Sequence, residues 1–122
     1  MLWNGWSKRM NQIKKNRINE ELVRTISYIL ANESTDKLLK TITITGADVS
    51  DDLSFAKIYF TSLSDLNKND ITKEVNEASK MVRKFVASKM NLRQTPNLRF
   101  IYDESIEYGN KIEKIIKKIN EQ

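Results

Sequence analysis

The side chains that could carry out chemistry in this 122-residue chain are limited by its lack of histidine and cysteine. Without these two residue types there is no Ser-His-Asp or Cys-His nucleophile pair, no imidazole general base, no zinc cage and no disulfide. Carboxylates, lysines, tyrosines and hydroxyls remain as catalytic groups. The composition therefore excludes most enzyme mechanisms that a single small domain could perform.

Two groups of carboxylates could hold a cation or act as an acid and base. Asp51 and Asp52 are adjacent, and Asp103, Glu104 and Glu107 lie near the start of the last segment. A metal ion needs further oxygen ligands from elsewhere. Aspartates in a turn accept backbone hydrogen bonds, and acidic residues stabilise the start of a helix. We therefore interpret both groups as turn and helix-start residues.

No metal ion and no cofactor are expected. The chain has only three glycines, so it contains no glycine-rich loop that could cradle a nucleotide phosphate. It also has no apolar run approaching the roughly 20 residues that span a bilayer. We expect a cytoplasmic protein that does not contact a membrane. A monomer is expected because no heptad seam or long apolar patch is evident.

The cations are unevenly distributed, although the formal net charge of +5 is modest. Seven Lys and Arg but only two acidic residues fall in residues 73–99. Such clustering is the expected signature of an anionic partner such as nucleic acid, and the alternative is a merely solvated helix face. The candidate phosphate contacts are Lys73, Lys80, Arg83, Lys84, Lys89 and Arg93, with Lys14, Lys15 and Arg17 as a second basic element.

The hydrophobic pattern predicts which elements position these cations. Apolar residues at helical spacing predict an amphipathic helix over 13–31 and another over 71–90. In the second helix Lys73, Lys80 and Lys84 project away from the apolar stripe. Alternating apolar residues predict strands over 39–49 and 56–61, joined by the turn Ser50–Ser54 and with a bulge at Gly46.

The C-terminal third completes the predicted fold. Pro96 ends the second helix and introduces a strand over 98–102, and a last helix runs from Ser105 or Ile106 to about Asn120. The order is α-β-β-α-β-α, which indicates one α+β domain with helices packed on a three-stranded sheet. We assign residues 1–12 to a flexible tail and residues 13–122 to the domain.

Three segments resemble the bacterial ribosome-binding factor A family, over about residues 14–116. The first segment includes Asn16-Arg17-Ile18 and Glu21-Leu22, and the second is the hairpin Val49–Tyr59 with Asp52, Leu53, Ala56 and Ile58 in place. The third segment contains Leu92, Arg93, Pro96, Leu98, Phe100, Asp103, Ser105, Gly109 and Ile112. Their order and intervals match the family.

The resemblance implies a type II KH-like domain whose second helix is kinked at an Ala-x-Gly motif in place of the usual GxxG loop. Here the motif is Ala78-Ser79-Lys80, so Lys80 stands where the family has glycine and adds a cation where the backbone approaches RNA. On this basis Ser79 joins the candidate RNA contacts. KH-type domains bind irregular or single-stranded RNA largely through backbone contacts and shape.

The resemblance further implies a function without catalysis. The protein would bind the free 30S small ribosomal subunit at 16S rRNA, assist late maturation and 5′-end processing of that rRNA, and leave before translation. It also implies a role in growth at low temperature and an association with an assembly GTPase.

The sequence leaves two alternatives open. One is a basic protein-interaction module that recognises an acidic partner without RNA. The other is an RNA-processing enzyme that uses Asp51, Asp52 and Asp103.

Overall fold

The computed structural model describes residues 5–105 and 116–119, with side chains from residue 11 onward in those ranges. The predicted α+β class, with a three-stranded sheet packed against helices, is confirmed. Most of the predicted last helix, including Glu107, lies outside the described residues, although Ser105 and residues 116–119 are helical. The elements are α1 (Gly5–Asn32), β1 (Ile42–Val49), β2 (Phe55–Ser62), α2 (Lys68–Glu77), α3 (Ser79–Lys89) and β3 (Asn97–Tyr102).

Helix α1 begins at Gly5, eight residues before the predicted start at Ile13. No glycine or proline interrupts residues 6–32, so the backbone continues as helix where the apolar period is absent. The predicted boundary at residue 12 is therefore not a helix boundary. The buried face is as expected and contains Leu22, Ile26, Ile29 and Leu30. None of the helices in the described parts of the chain combines the length and apolar character needed to cross a membrane.

The sheet has the strand order β1-β2-β3. Strands β1 and β2 form the predicted antiparallel hairpin with a connection over 50–54, and the register shift between Ile44 and Gly46 confirms the predicted bulge. Residues Leu39–Thr41 form a 3-10 turn instead of the start of the strand. Strand β3 pairs with β2 in parallel, which requires a crossover, and α2 and α3 supply it.

The helices cover one face of the sheet. Ala56, Ile58 and Phe60 on β2 and Leu98 and Phe100 on β3 are buried, and the residues between them are exposed or half-exposed. This alternation follows from the two-residue period of a strand. We call the face with Lys57 and Arg99 the outer face.

The predicted helix over 71–90 is divided in two at Ala78. The N–H of Ala78 contacts the carbonyl oxygen of Val75, three residues back, at 3.1 Å, where an α-helix would use the residue four back. The apolar stripe nevertheless continues across the break, since Val75, Val82 and Val86 are all fully buried. The interruption thus falls within the Ala78-Ser79-Lys80 segment and leaves both helices on the core.

Candidate nucleic-acid interface

A groove of about 460 Å³ lies between α3 and the segment that leads into β3. Lys80, Arg83 and Lys84 line it from α3, one helical turn apart, and Thr95 and Asn97 line the opposite wall. Packing of Val82 and Val86 into the core fixes the rotation of α3, so the three cations must face away from the core. We call this site the α3 groove.

Arg83 has a structural role in the α3 groove that its sequence position did not indicate. Its Nε donates to the carbonyl oxygen of Pro96 at 3.2 Å, and its Nη2 donates to that of Thr95 at 3.0 Å. These bonds hold the far wall against α3. A guanidinium has five N–H donors, so the charge and three donors stay available to an anion. Arg83 therefore shapes the groove as well as adding charge to it.

Two of the predicted phosphate contacts pair with carboxylates of the protein itself. The Lys89 Nζ lies 3.2 Å from Oε1 of Glu33 and 4.9 Å from the centre of the Tyr28 ring, which ties α3 to the end of α1. The Lys15 Nζ lies 3.2 Å from Oδ1 of Asp51 and 3.9 Å from Oδ1 of Asp48. Much of the charge of both lysines is thus neutralised within the fold.

The other predicted cations are exposed, and within residues 11–105 their side chains make no hydrogen bond or ion pair. They are Lys14, Arg17, Lys73, Lys80, Lys84 and Arg93. Ser79 is half-exposed at the break between α2 and α3. The structure brings Lys80 and Lys84 together at one groove, while Lys73 lies on α2 and Arg93 on the loop after α3. Lys14 and Arg17 lie on α1, beyond the hairpin turn.

The hairpin turn separates the two basic regions. Lys15 reaches the turn at Asp51, and on its other side the carbonyl oxygen of Ser54 accepts a hydrogen bond from the N–H of Asn97 at 3.0 Å. Asn97 in turn lines the α3 groove. The cations of α1 and those of α3 thus flank one turn at the same end of the sheet.

Asp52 serves the turn, as the sequence predicted. Its Oδ1 accepts hydrogen bonds from the N–H of Ser54 at 3.0 Å and from the hydroxyls of Ser54 and Ser50 at 2.7 and 2.8 Å. These donors stabilise the carboxylate and lower the pKa of Asp52 from 3.8 to about 2. An aspartate held ionised in this way is a poor general acid or base near neutral pH.

Asp103 closes the opposite end of the sheet. Its Oδ1 accepts from the N–H and the hydroxyl of Ser105, where helical structure begins, and its Oδ2 accepts from the hydroxyl of Thr45 at 2.7 Å. The hydroxyl of Ser105, then that of Thr45, lowers the pKa of Asp103. The stretch of β2 from Phe55 to Phe60 that pairs with β3 separates Asp103 from Asp52, and its five residue steps span about 17 Å.

The carboxylates therefore do not form a common site. Asp51 pairs with Lys15, and Glu104 lies 3.9 Å from the Nζ of Lys68. Within the described residues no three acidic side chains are grouped closely enough to hold a metal ion. The geometry gives no support to the hypothesis that Asp51, Asp52 and Asp103 act together in catalysis.

Asn76 is a positioning residue that the sequence did not reveal. Its Oδ1 accepts from the N–H of Phe100 at 2.8 Å, and its Nδ2 donates to the carbonyl oxygen of Phe100 at 2.9 Å. The amide therefore pairs with β3 as a neighbouring strand would, and it fixes the end of α2 just before the break at Ala78. In the sequence, an asparagine next to the apolar positions of a helix does not indicate that its side chain binds the backbone of a residue 24 positions away.

The comparisons with known proteins agree on one family. The sequence model described as ribosome-binding factor A matches residues 14–116. A ribosome-binding factor A of Pediococcus pentosaceus is 38% identical over 111 residues, which cover 89% of this chain and 96% of the relative. One of Legionella pneumophila is 40% identical over 112 residues, which cover 90% of each chain.

Solved structures of the same name share the fold. The crystal structure of ribosome-binding factor A from Thermus thermophilus superposes with a TM-score of 0.63 at 21% identity, over 72% of this chain and 94% of the other. A homology model of the Thermus thermophilus factor, fitted into a cryo-EM map of its complex with the 30S subunit, gives a TM-score of 0.58 at 17% identity, over 70% and 91% of the two chains.

Proposed function

Because the chain belongs to the ribosome-binding factor A family, we propose that it binds the free 30S ribosomal subunit at 16S rRNA, and that the α3 groove holds the rRNA backbone. A relative of the same name has been fitted into a map of a 30S complex, which supports this choice of partner. The residues that line the groove fall within residues 14–116, the part of the chain that the family model matches.

The observation that carries the proposal is the state of Lys80 and Lys84. Both are exposed, both line the α3 groove, and neither pairs with a carboxylate within residues 11–105. Two unneutralised charges one helical turn apart attract an anion, and phosphate is the densely repeated anion of a ribosomal subunit. Thr95 and Asn97 place hydrogen-bonding side chains on the opposite wall.

Ser79, Lys73 and Arg93 extend this surface along the chain. Ser79 lies at the break where the family resemblance expects RNA, Lys73 lies on α2 and Arg93 lies on the loop after α3. Lys14 and Arg17 supply a secondary contact from α1. Lys15 and Lys89 contribute less than the sequence suggested, because their charges are already paired.

We further propose a role without catalysis. The bound protein assists late maturation of the subunit, including 5′-end processing of 16S rRNA by other enzymes, and leaves before translation. It acts in the cytoplasm as a monomer, contributes to growth at low temperature, and an assembly GTPase promotes its release. The engagement of Asp52 and Asp103 in a turn and a cap supports the absence of catalysis.

Co-sedimentation with purified 30S subunits over a range of salt concentrations tests the proposal. The variant Lys80→Glu/Lys84→Glu should sediment poorly, and the slope of log affinity against log salt should fall by about 0.7–0.9 for each phosphate that the variant no longer neutralises. Lys37→Glu/Lys40→Glu is the matched control, since both lysines are exposed and lie outside the α3 groove. It should bind nearly as well as the wild type.

Two outcomes would contradict the proposal. Unchanged sedimentation of a folded Lys80→Glu/Lys84→Glu variant would remove the α3 groove from the interface. In a pull-down from lysate, partners that persist after ribonuclease digestion and that do not bind that variant would favour an acidic protein as the partner. Folding of each variant is checked by circular dichroism.

A further inference from the structure

The outer face of the sheet carries a second set of solvent-facing groups. Lys57 on β2 pairs in register with Arg99 on β3, and the next row brings Tyr59 beside Ile101. The two cations are exposed, and Tyr59 and Ile101 are half-exposed. A cationic row therefore lies directly beside an aromatic and apolar row.

The two cations of this face repel each other. Paired strands are about 4.8 Å apart, so like charges at the same register position of neighbouring strands repel. Within residues 11–105 neither Lys57 nor Arg99 has an ion pair. Asp48, the residue opposite Lys57 on β1, lies 3.9 Å from Lys15 instead. A bound anion would relieve this repulsion.

Tyr59 lies on this face next to a strand position that has no side chain. Its neighbour on β1 is Gly46, which has no side chain, and a Cβ there would lie 3.9 Å from Cδ2 of Tyr59. The ring thus lies beside bare backbone on one side and Ile101 on the other. Half-exposed aromatic rings next to cations are the arrangement on which single-stranded nucleic acids stack their bases.

The outer face also joins the α3 groove. Asn97, which lines the groove, lies two residues before Arg99 on β3, and both are exposed. At the other end of the face, the hydrogen bond from Thr45 to Asp103 links β1 to the end of β3 and places a carboxylate there. Two cations against Asp48 at the end next to the groove, and Asp103 at the other end, leave the positive charge of the face next to the groove, where a phosphate is favoured.

We propose that a single RNA strand continues from the α3 groove around the start of β3 onto the outer face, where Lys57 and Arg99 hold a backbone phosphate and Tyr59 and Ile101 receive a base. The inference rests on the proposed function, because it takes RNA as the ligand. A strand that follows this path contacts α3 on the helix side of the domain and the outer face of the sheet on the other. Phosphate contacts position the strand, and stacking on Tyr59 accepts any base.

Fluorescence anisotropy with a labelled 12-nucleotide oligouridine tests this path. Lys57→Gln/Arg99→Gln should lower the slope of log affinity against log salt by about 0.7, which corresponds to the one single-strand phosphate that the two cations hold. Tyr59→Leu keeps an apolar side chain but removes the ring, and it should weaken binding about fivefold or more. Tyr59→Phe should retain wild-type affinity, and Lys37→Gln/Lys40→Gln is the charge-matched control.

The result that overturns the inference is wild-type oligouridine affinity and salt slope in a folded Lys57→Gln/Arg99→Gln variant, or wild-type affinity in Tyr59→Leu. Binding of polyglutamate with equal affinity, abolished in the same variants, would assign the face to an acidic protein instead. Failure of this path is distinguishable from failure of the proposed function. If only this path is wrong, the outer-face variants bind oligouridine normally while Lys80→Glu/Lys84→Glu fails to bind the 30S subunit. If the proposed function is wrong, Lys80→Glu/Lys84→Glu sediments normally with the 30S subunit.

Discussion

The two basic regions that flank the hairpin turn differ in how the fold treats their charges. At the α1 side, Lys15, which reaches the turn, is held by Asp51 and Asp48. Of the predicted contacts there, only Lys14 and Arg17 stay unpaired within residues 11–105. At the α3 side, Lys80 and Lys84 are exposed and unpaired within residues 11–105, and Arg83 holds the wall of their groove. A cation count identifies a basic segment, whereas the placement of carboxylates decides which of its charges can meet a ligand.

The largest expected effect is a loss of affinity for the 30S subunit, and it should be greater for substitutions in the α3 region than for substitutions in the α1 region. Lys80→Glu/Lys84→Glu should weaken binding about 100-fold, because two charge-assisted hydrogen bonds to phosphate are removed. Lys14→Glu/Arg17→Glu should weaken it less than about tenfold if α1 supplies only a secondary contact. Equal effects in quantitative sedimentation would mean that both sides of the turn contribute alike.

Arg83 should affect stability where Lys84 does not. Arg83→Met leaves the carbonyl groups of Thr95 and Pro96 without their donor and should lower the free energy of unfolding by about 1–2 kcal/mol. Lys84→Met removes an exposed cation with no partner within residues 11–105 and should change it little. Urea denaturation followed by circular dichroism measures both variants, and equal stabilities would refute a positioning role for Arg83.

The ion pair of Lys15 should contribute a small, salt-sensitive stability. Lys15→Gln should lower the free energy of unfolding by about 0.5 kcal/mol at low salt, and the difference should shrink as salt is added. Lys14→Gln, next to it and unpaired within residues 11–105, should have no such effect. If the two variants unfold alike at low salt, the contact with Asp51 adds nothing to stability.

The lowered pKa of Asp52 should affect the stability of the fold only at acidic pH. Its folded pKa, about 2, is below the ordinary value of 3.8, so ionised Asp52 stabilises the fold above pH 4 and this contribution disappears as the pH falls towards 2. In Asp52→Asn this part of the acid destabilisation should be absent. Urea denaturation midpoints of the wild type and of Asp52→Asn, measured from pH 6 to pH 2, test this. If both midpoints fall equally as the pH is lowered, the hydrogen bonds from the serines of the turn are not the source of the acid destabilisation.

Much of the fold could be predicted from local pattern. The alternation around Ile58 and the β-branched run before Gly46 located the hairpin and its bulge, because the side-chain period of a strand is local information. Periodicity also gave the buried residues of α1 and α3. It did not give the interruption at Ala78, since the apolar stripe runs through it, and only the family resemblance indicated that position.

The candidate site was predictable in part. The segment that contains Lys80, Arg83 and Lys84 was located by its charge, but the different roles of the three were not. Arg83 binds carbonyls 12 and 13 residues away, and Asn76 binds Phe100 24 residues away. Sequence spacing shows only pairs within a helical turn, so these contacts were outside its reach.

By itself the sequence determined the three strands, the buried faces of the helices and the presence of two basic segments, because periods of 2 and 3.6 residues and local charge density are properties of the chain. Only the tertiary structure decided that Lys15 and Lys89 are paired while Lys80 and Lys84 remain available. The reason is that parallel pairing of β3 with β2 and the packing of α3 against α1 bring together groups far apart in the chain. Whether two charges form an ion pair depends on their distance in space, which no local sequence pattern contains.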